Sequence, residues 1–136
     1  MKLSGGCSCG AVRYETDSNL SNRCICHCQS CRRASGAPFV AWATSARDHF
    51  TVTRGELTFF ASSVNVQRGF CAHCGTALTY ANTSSPTTLD IALASLDDPD
   101  IIAPEFHIWL DDKLSWVSID DGLPTYPGWR SQTEPN

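Results

Sequence analysis

The chain has 136 residues, a formal net charge of −4 and 42% hydrophobic residues, which fits one ordinary globular domain and excludes wholesale disorder. No stretch approaches the ~20 consecutive apolar residues of a membrane-spanning helix, so we expect no membrane partner. The chain starts without an apolar signal segment and its charge is acidic, so we expect a cytoplasmic protein that binds no nucleic acid.

Strand patterns dominate the chain. Alternating, β-branched or aromatic runs occupy, in order, residues 11–16, 39–44, 57–60, 64–68 and 89–93. Residues 106–109 and 114–119 suggest a final hairpin that turns at 111–113. One short helix is predicted at 29–34, ended by Ser35, Gly36 and Pro38. Since no linker or repeat interrupts this pattern, we predict a mainly β chain with little helix, folded as a single domain over 1–136.

Eight cysteines are the unusual feature of the composition. They form C-x-C, C-x-C-x-C-x-x-C and C-x-x-C groups, with none between Cys31 and Cys71. An even number could form disulfides, but disulfide frameworks spread their cysteines and need an oxidising compartment. Metal sites instead concentrate their ligands on short turns. We therefore interpret the cysteines as zinc ligands.

The C-x-x-C turn at Cys71 and Cys74 supplies two ligands, and Gly75 can adopt the positive φ that ends such a turn. Zinc needs four ligands in a tetrahedron. Cys7 and Cys9 form a matching half-site, because residues i and i+2 of an extended chain face the same side. Four sulfurs leave no open position, so this site is expected to be structural.

The middle group leaves two alternatives open. Cys26, Cys28 and Cys31 suffice for three ligands on one compact loop. Cys24 could complete a second tetrahedron of sulfurs, or it could be a small buried residue outside the site. In the second case the fourth position is left for water or a substrate, as in catalytic zinc sites.

Three segments resemble the glutathione-dependent formaldehyde-activating enzyme family, also called the centromere protein V/GFA domain: residues 5–14, 26–39 and 68–78. The tail is also similar to that family, at residues 107–109, Trp116 and residues 123–126. The resemblance implies an antiparallel β-tent fold pinned by two zinc ions per chain. It assigns Cys7, Cys9, Cys71 and Cys74 to a structural ion, and Cys26, Cys28 and Cys31 to a catalytic ion with an open fourth position.

A zinc ion held by three thiolates carries net negative charge, which blunts its power to polarise a carbonyl. It is better suited to binding an external thiol as thiolate. We therefore expect a carbon–sulfur lyase or thiol-adduct synthase, with a small thiol such as glutathione as its partner and formaldehyde as the electrophile that the resemblance implies. The alternative is a protein-interaction module in which both zinc ions are structural.

Residues around the cysteines give weaker expectations. His27 is predicted to point away from the metal and His73 to face solvent. Arg32 and Arg33 could bind glutathione carboxylates, although a solvated charge on the helix explains at least one of them. The tryptophans are interpreted first as core residues, with a pocket wall as the alternative for Trp109, because His107 shares its strand face. The expected core set is Trp42, Trp109 and Trp116.

Overall fold

The computed structural model describes residues 1–130. The strands are β1 (Lys2–Gly6), β2 (Arg13–Asp17), β3 (Ser21–Cys26), β4 (Val40–Ala46), β5 (Thr51–Arg54), β6 (Thr58–Ser63), β7 (Val66–Phe70), β8 (Ala77–Asn82), β9 (Thr88–Ala92) and β10 (Phe106–Ile108), and the helix α1 is Gln29–Ser35. The prediction of a mainly β chain with little helix is confirmed. The expected single-domain span extends to residue 136, and residues 131–136 lie outside the described residues.

The strands form two sheets. One has three strands in the order β1-β2-β5, and the other has seven in the order β10-β3-β4-β9-β8-β7-β6. Neighbouring strands are antiparallel, apart from β10, which pairs with β3 in parallel. No helix within residues 1–130 is long and apolar enough to cross a membrane.

The two faces of the large sheet have different neighbours, because successive side chains of a strand point to opposite sides. Ala43 and Ile91 pack with Leu3 and Tyr14 of the small sheet in the main core. The adjacent residue Trp42 belongs to a second buried cluster on the other face. This second face carries the candidate site, and the main core packs against the opposite face of the same sheet.

Helix α1 agrees with the prediction in type and position. It begins after Cys28, whose sulfur accepts a hydrogen bond from the Cys31 backbone N–H at 3.4 Å. It ends at Gly36, which has the left-handed φ of 63°. The helix therefore starts within the middle cysteine group, so its first turn fixes the spacing of two thiols.

The predicted hairpin at 106–119 is wrong. Residues Phe106–Ile108 form β10, but Leu110–Asp112 is a 3₁₀ turn and no strand follows in 114–119. The remaining edge of β10 is covered by a later segment: the His107 N–H donates to Pro124 O at 2.9 Å, and the Tyr126 N–H donates to His107 O at 3.0 Å. Because this segment occupies the hydrogen-bonding edge, residues 114–119 have no strand partner there.

Candidate metal centres and adjoining cavity

The first cysteine cluster joins the two sheets. Cys7 and Cys9 follow β1 of the small sheet, and Cys71 and Cys74 lie in the turn between β7 and β8 of the large sheet. Their four Sγ atoms all lie within 4.8 Å of one another. The structure thus brings together the four residues that the sequence grouped.

The two turns of this cluster have the same hydrogen-bond pattern. The Cys7 N–H donates to Val12 O at 3.0 Å and the Cys71 N–H donates to Thr76 O at 3.0 Å. The glycine that follows the second cysteine has positive φ in each turn, at Gly10 and Gly75. Each turn therefore points its two sulfurs inward, as a metal-binding turn must.

The sulfur separations fit zinc. The Cys7–Cys9 and Cys9–Cys71 Sγ distances are 3.6 and 3.8 Å, and a tetrahedron with Zn–S bonds of ~2.3 Å has edges of about 3.8 Å. Hydrogen bonds from the side chain and then the backbone of Thr76 lower the pKa of Cys74 to about 5. A thiol that ionises readily is a ready metal ligand, since the thiolate is the binding form.

The second cluster consists of Cys26, Cys28 and Cys31, whose Sγ atoms also lie within 4.8 Å of one another. Cys26 ends β3, Cys28 caps α1 and Cys31 lies in the first turn of the helix. Hydrogen bonds from Cys26 and Cys28, with a further contribution from Arg68, lower the pKa of Cys31 to about 2. The same sharing of protons raises the pKa of Cys26. Three soft donors on one short segment could hold a zinc ion.

Cys24 stands outside this cluster. Within residues 1–130, no fourth cysteine, histidine or carboxylate joins the three thiols to within 4.8 Å of each of them. Cys24 lies two residues before Cys26 on β3, so it is on the same face of the strand, and it pairs directly with Trp42 of β4. Burial raises the pKa of its thiol to about 12, which keeps it protonated. Its environment is that of a small buried residue.

Arg68 is the charged group that touches the three-cysteine cluster. Its Nη1 and Nη2 atoms lie 3.8 and 3.7 Å from Cys31 Sγ. The guanidinium is held in place because its Nε donates to Ser62 Oγ at 3.1 Å and because it stacks on the Tyr80 ring at 5.1 Å. Arg68 is only 8% exposed, so its charge acts on the cysteines with little screening by water.

A cavity of about 890 Å³ opens beside these three thiols. Its floor is the second face of the large sheet, and Trp109, Trp129 and Arg130 lie at its side. The floor residues alternate along their strands, and they include Cys24, Trp42, Thr44, Arg68, Tyr80, Asp90, Phe106 and Ile108. The volume falls in the range of about 300–1,000 Å³ that is typical of small-molecule sites.

Behind the cluster, His27 and His107 form a buried chain with a carboxylate. Asp121 Oδ2 lies 2.7 Å from His107 Nε2, and His107 Nδ1 lies 2.9 Å from His27 Nε2. Since the carboxylate accepts, His107 donates through Nε2, and a neutral His107 ring then accepts at Nδ1 from His27. His27 Nδ1 is buried without a protein partner in the described part of the chain. Burial, and then the neighbouring His107, lower the pKa of His27 to about 4, so the ring is neutral.

The positions of the His27 and His107 side chains refine one prediction and correct another. His27 points away from the thiols toward His107, as expected, and it is fully buried. The predicted shared face of His107 and Trp109 is wrong. His107 points behind the sheet to His27, whereas Trp109 lines the cavity, because Trp109 has a left-handed φ of 55° that breaks the strand alternation.

The other predicted residues lie as follows. His73 is exposed in its turn, as expected. Arg33 is exposed and Arg32 donates from Nε to His27 O at 3.1 Å, and neither residue lines the cavity. Trp42 is buried and also forms part of the cavity floor. The core prediction for Trp116 is wrong, because its side chain is 70% exposed in a segment without strand structure.

The chain matches one family profile and is similar in sequence to proteins of two organisms. The sequence profile described as "Glutathione-dependent formaldehyde-activating enzyme" matches residues 2–112. A protein of Halomonas elongata that is assigned by name to these enzymes is 30% identical over 134 residues, covering 88% of this chain and 82% of that protein. An uncharacterized lyase of Schizosaccharomyces pombe is 28% identical over 110 residues, covering 80% and 79%.

Among solved structures, the crystal structure of a Rhodobacter sphaeroides protein is similar to this fold, with a TM-score of 0.60 at 28% identity. The match covers 70% of this chain and 88% of that one. The family profile ends at residue 112, so the tail that forms the covering segment 124–128 lies beyond it.

Proposed function

The chain belongs to the glutathione-dependent formaldehyde-activating enzyme family, and from this premise we propose that it joins a small thiol such as glutathione to formaldehyde in a reversible reaction. In the reverse direction the activity is that of a carbon–sulfur lyase. The observation that carries this proposal is that the Cys26, Cys28 and Cys31 thiols border a cavity large enough for a tripeptide. We also propose that residues 1–136 form one cytoplasmic domain, since free thiol ligands persist in a reducing compartment.

Two zinc ions per chain are part of the proposal. Cys7, Cys9, Cys71 and Cys74 would hold one, and Cys26, Cys28 and Cys31 would hold the other. When bound at the three-cysteine cluster, zinc supplies the positive charge that keeps an incoming thiol ionised near neutral pH.

The residues of the chain contribute charge balance and water exclusion. The Arg68 guanidinium against Cys31 offsets the negative charge of the three thiolates. Trp42, Phe106 and Ile108 form the apolar part of the cavity floor, which keeps water away from the reacting sulfur. There the substrate thiolate attacks the carbonyl carbon, a C–S bond forms, and the C=O π electrons move to oxygen. The thiol proton finishes on that oxygen, giving a hydroxymethyl thioether.

A protein-interaction module with two structural zinc ions is the competing function. It requires a closed second site, and Cys24 is the cysteine that could close it. The position of Cys24 outside the three-thiol cluster supports the enzyme. The cavity beside the same thiols supports it too, since a purely structural site needs no access for a ligand.

Exchange NMR of formaldehyde with glutathione tests the proposal directly. The zinc-loaded protein should accelerate adduct formation over buffer, and Cys28→Ser should abolish the acceleration while the protein remains folded. Cys24→Ser is the matched control, because this cysteine lines the same cavity without joining the cluster, and it should retain activity. No acceleration by the wild-type protein would refute the proposed function. Activity lost in Cys24→Ser but kept in Cys28→Ser would refute the assigned ligand set.

A further inference from the structure

Asp90 is a carboxylate in an unusual place for a structural residue. It lies in β9, a central strand of the large sheet, where aspartate is disfavoured. Its neighbours Leu89 and Ile91 face the main core, so Asp90 faces the cavity, which it lines. Its side chain is therefore available to a molecule that enters the cavity.

The carboxylate has only part of its binding capacity filled. Thr44 Oγ1 donates to Asp90 Oδ1 at 2.6 Å, and within residues 1–130 no lysine, arginine or histidine forms an ion pair with Asp90. Burial raises the pKa of Asp90, with the Cys31 charge adding to the effect. A cation that enters the cavity would offset the cost of burying the charged Asp90 carboxylate.

The two cations of the cavity are bound elsewhere. Across the floor, Thr44, Asp90, Tyr80 and Arg68 are in register on adjacent strands. Arg68 is two strands from Asp90, at about 10 Å by strand spacing, and it contacts Cys31 and Ser62. Arg130 lies over the Phe106 ring on β10, three strands from β9 on the other side. The protein thus leaves a carboxylate without a cationic partner on the floor between them.

We propose that Asp90 binds the ammonium group of the thiol substrate, so that the site selects thiols that carry a free α-amino group. This inference rests on the proposed function, because it concerns the same cavity. Thr44 fixes one carboxylate oxygen, and the other oxygen receives the ammonium. Asp90 is then a specificity-determining residue that takes no part in the bond-making step.

The test compares two ligands and two proteins by calorimetry on the zinc-loaded chain. The ligands are glutathione and its deamino analogue, glutaryl-cysteinylglycine, which lacks only the ammonium group. We expect the wild-type protein to prefer glutathione by about tenfold or more, the value of one charge-assisted hydrogen bond. Asp90→Asn should bind both ligands equally, with glutathione weakened toward the analogue. Asp112→Asn, which changes another carboxylate of the cavity, should keep the wild-type preference.

The outcomes separate the two proposals. Equal binding of both ligands by the wild-type protein overturns the role of Asp90 but leaves the proposed function standing. The same holds if Asp90→Asn keeps the preference, or if Asp112→Asn alone removes it. Binding of neither thiol by the wild-type protein overturns both proposals. The wild-type comparison needs no substitution, so the inference can be refuted even if Asp90→Asn fails to fold.

Discussion

Replacing Arg68 with methionine should weaken zinc at the three-cysteine cluster and leave the four-cysteine cluster unchanged. Methionine keeps most of the side-chain length but removes the charge next to Cys31. Both Nη–Sγ distances, 3.8 and 3.7 Å, are at the long end for hydrogen bonds to sulfur. We therefore take the low end of the range for a charged hydrogen bond, about 1.5 kcal/mol. This corresponds to a loss in zinc affinity of about tenfold.

Competition with a coloured chelator measures this loss, because the two zinc ions should be released in separate phases. In Arg68→Met the more weakly held phase should shift by about tenfold and the tightly held phase should not move. Arg47→Met is the matched control, since the Arg47 side chain is exposed and, among residues 1–130, donates to the backbone carbonyls of Pro86 and Thr88 and not to a cysteine. Identical release curves for Arg68→Met and wild type would refute the electrostatic role given to Arg68.

Three further predictions concern stability. Cys71→Ser should lower the melting temperature and folding yield of the zinc-loaded protein, whereas Cys28→Ser should leave the melting temperature near the wild-type value; equal loss would mean that both sites are structural. In urea unfolding, Gly55→Ala should destabilise the protein more than Gly36→Ala. Both glycines have positive φ, which costs another residue about 1–2 kcal/mol, but only at Gly55 would a Cβ also lie 2.1 Å from a backbone carbonyl oxygen. Equal losses of stability would contradict this reasoning. Asp97→Asn should lower the free energy of unfolding by less than about 1 kcal/mol at pH 7. The hydrogen bond from Arg13 lowers the pKa of Asp97 in the folded protein, so the stabilisation is present above the unfolded-state pKa and is lost as the pH falls through the lowered folded-state pKa. Unfolding curves from pH 7 to 2 would show or disprove this trend.

The sequence predicted the elements whose signal is local. The alternation of Leu89 and Ile91 predicted a strand, and Gly36 correctly marked the end of the helix. The cysteine groups were found because metal ligands must be close along the chain in pairs, and C-x-x-C is such a pair. The roles of these residues depend on neighbours within a few positions, so a linear pattern is enough to show them.

Arg68 and Asp90 were missed as site residues for the opposite reason. Each looks like an ordinary polar position of a half-exposed strand, and the sequence directed attention to Arg32 and Arg33 beside the cysteines. Arg68 on β7 contacts Cys31 in helix α1, which is 37 residues earlier in the sequence, so the contact exists only through the tertiary fold. One weak signal was present: an aspartate between Leu89 and Ile91 in a predicted strand is disfavoured there and suggests a functional reason.

The predicted terminal hairpin failed because strand propensity does not state which edge a segment will pair with. The β10 segment has the expected strand character, but it pairs in parallel with β3, and the backbone of 124–128 bonds to its other edge. A parallel pairing needs a long connection, and that connection is the intervening chain from β3 to β10. Nothing within 106–119 encodes this pairing, since the competing partner lies elsewhere in the sequence.

The different placement of the two cysteine clusters gives a physical reason to assign them different roles. The four-cysteine cluster draws ligands from Cys7 and Cys71, which directly follow strands of different sheets and are far apart in sequence. A metal there closes a long loop and ties the sheets, so its binding energy is coupled to folding. The three-cysteine cluster lies on one short segment whose geometry is already set by the Cys28 cap and the first turn of α1. A metal there would add little to the fold, and its position beside the cavity favours a role in binding a ligand.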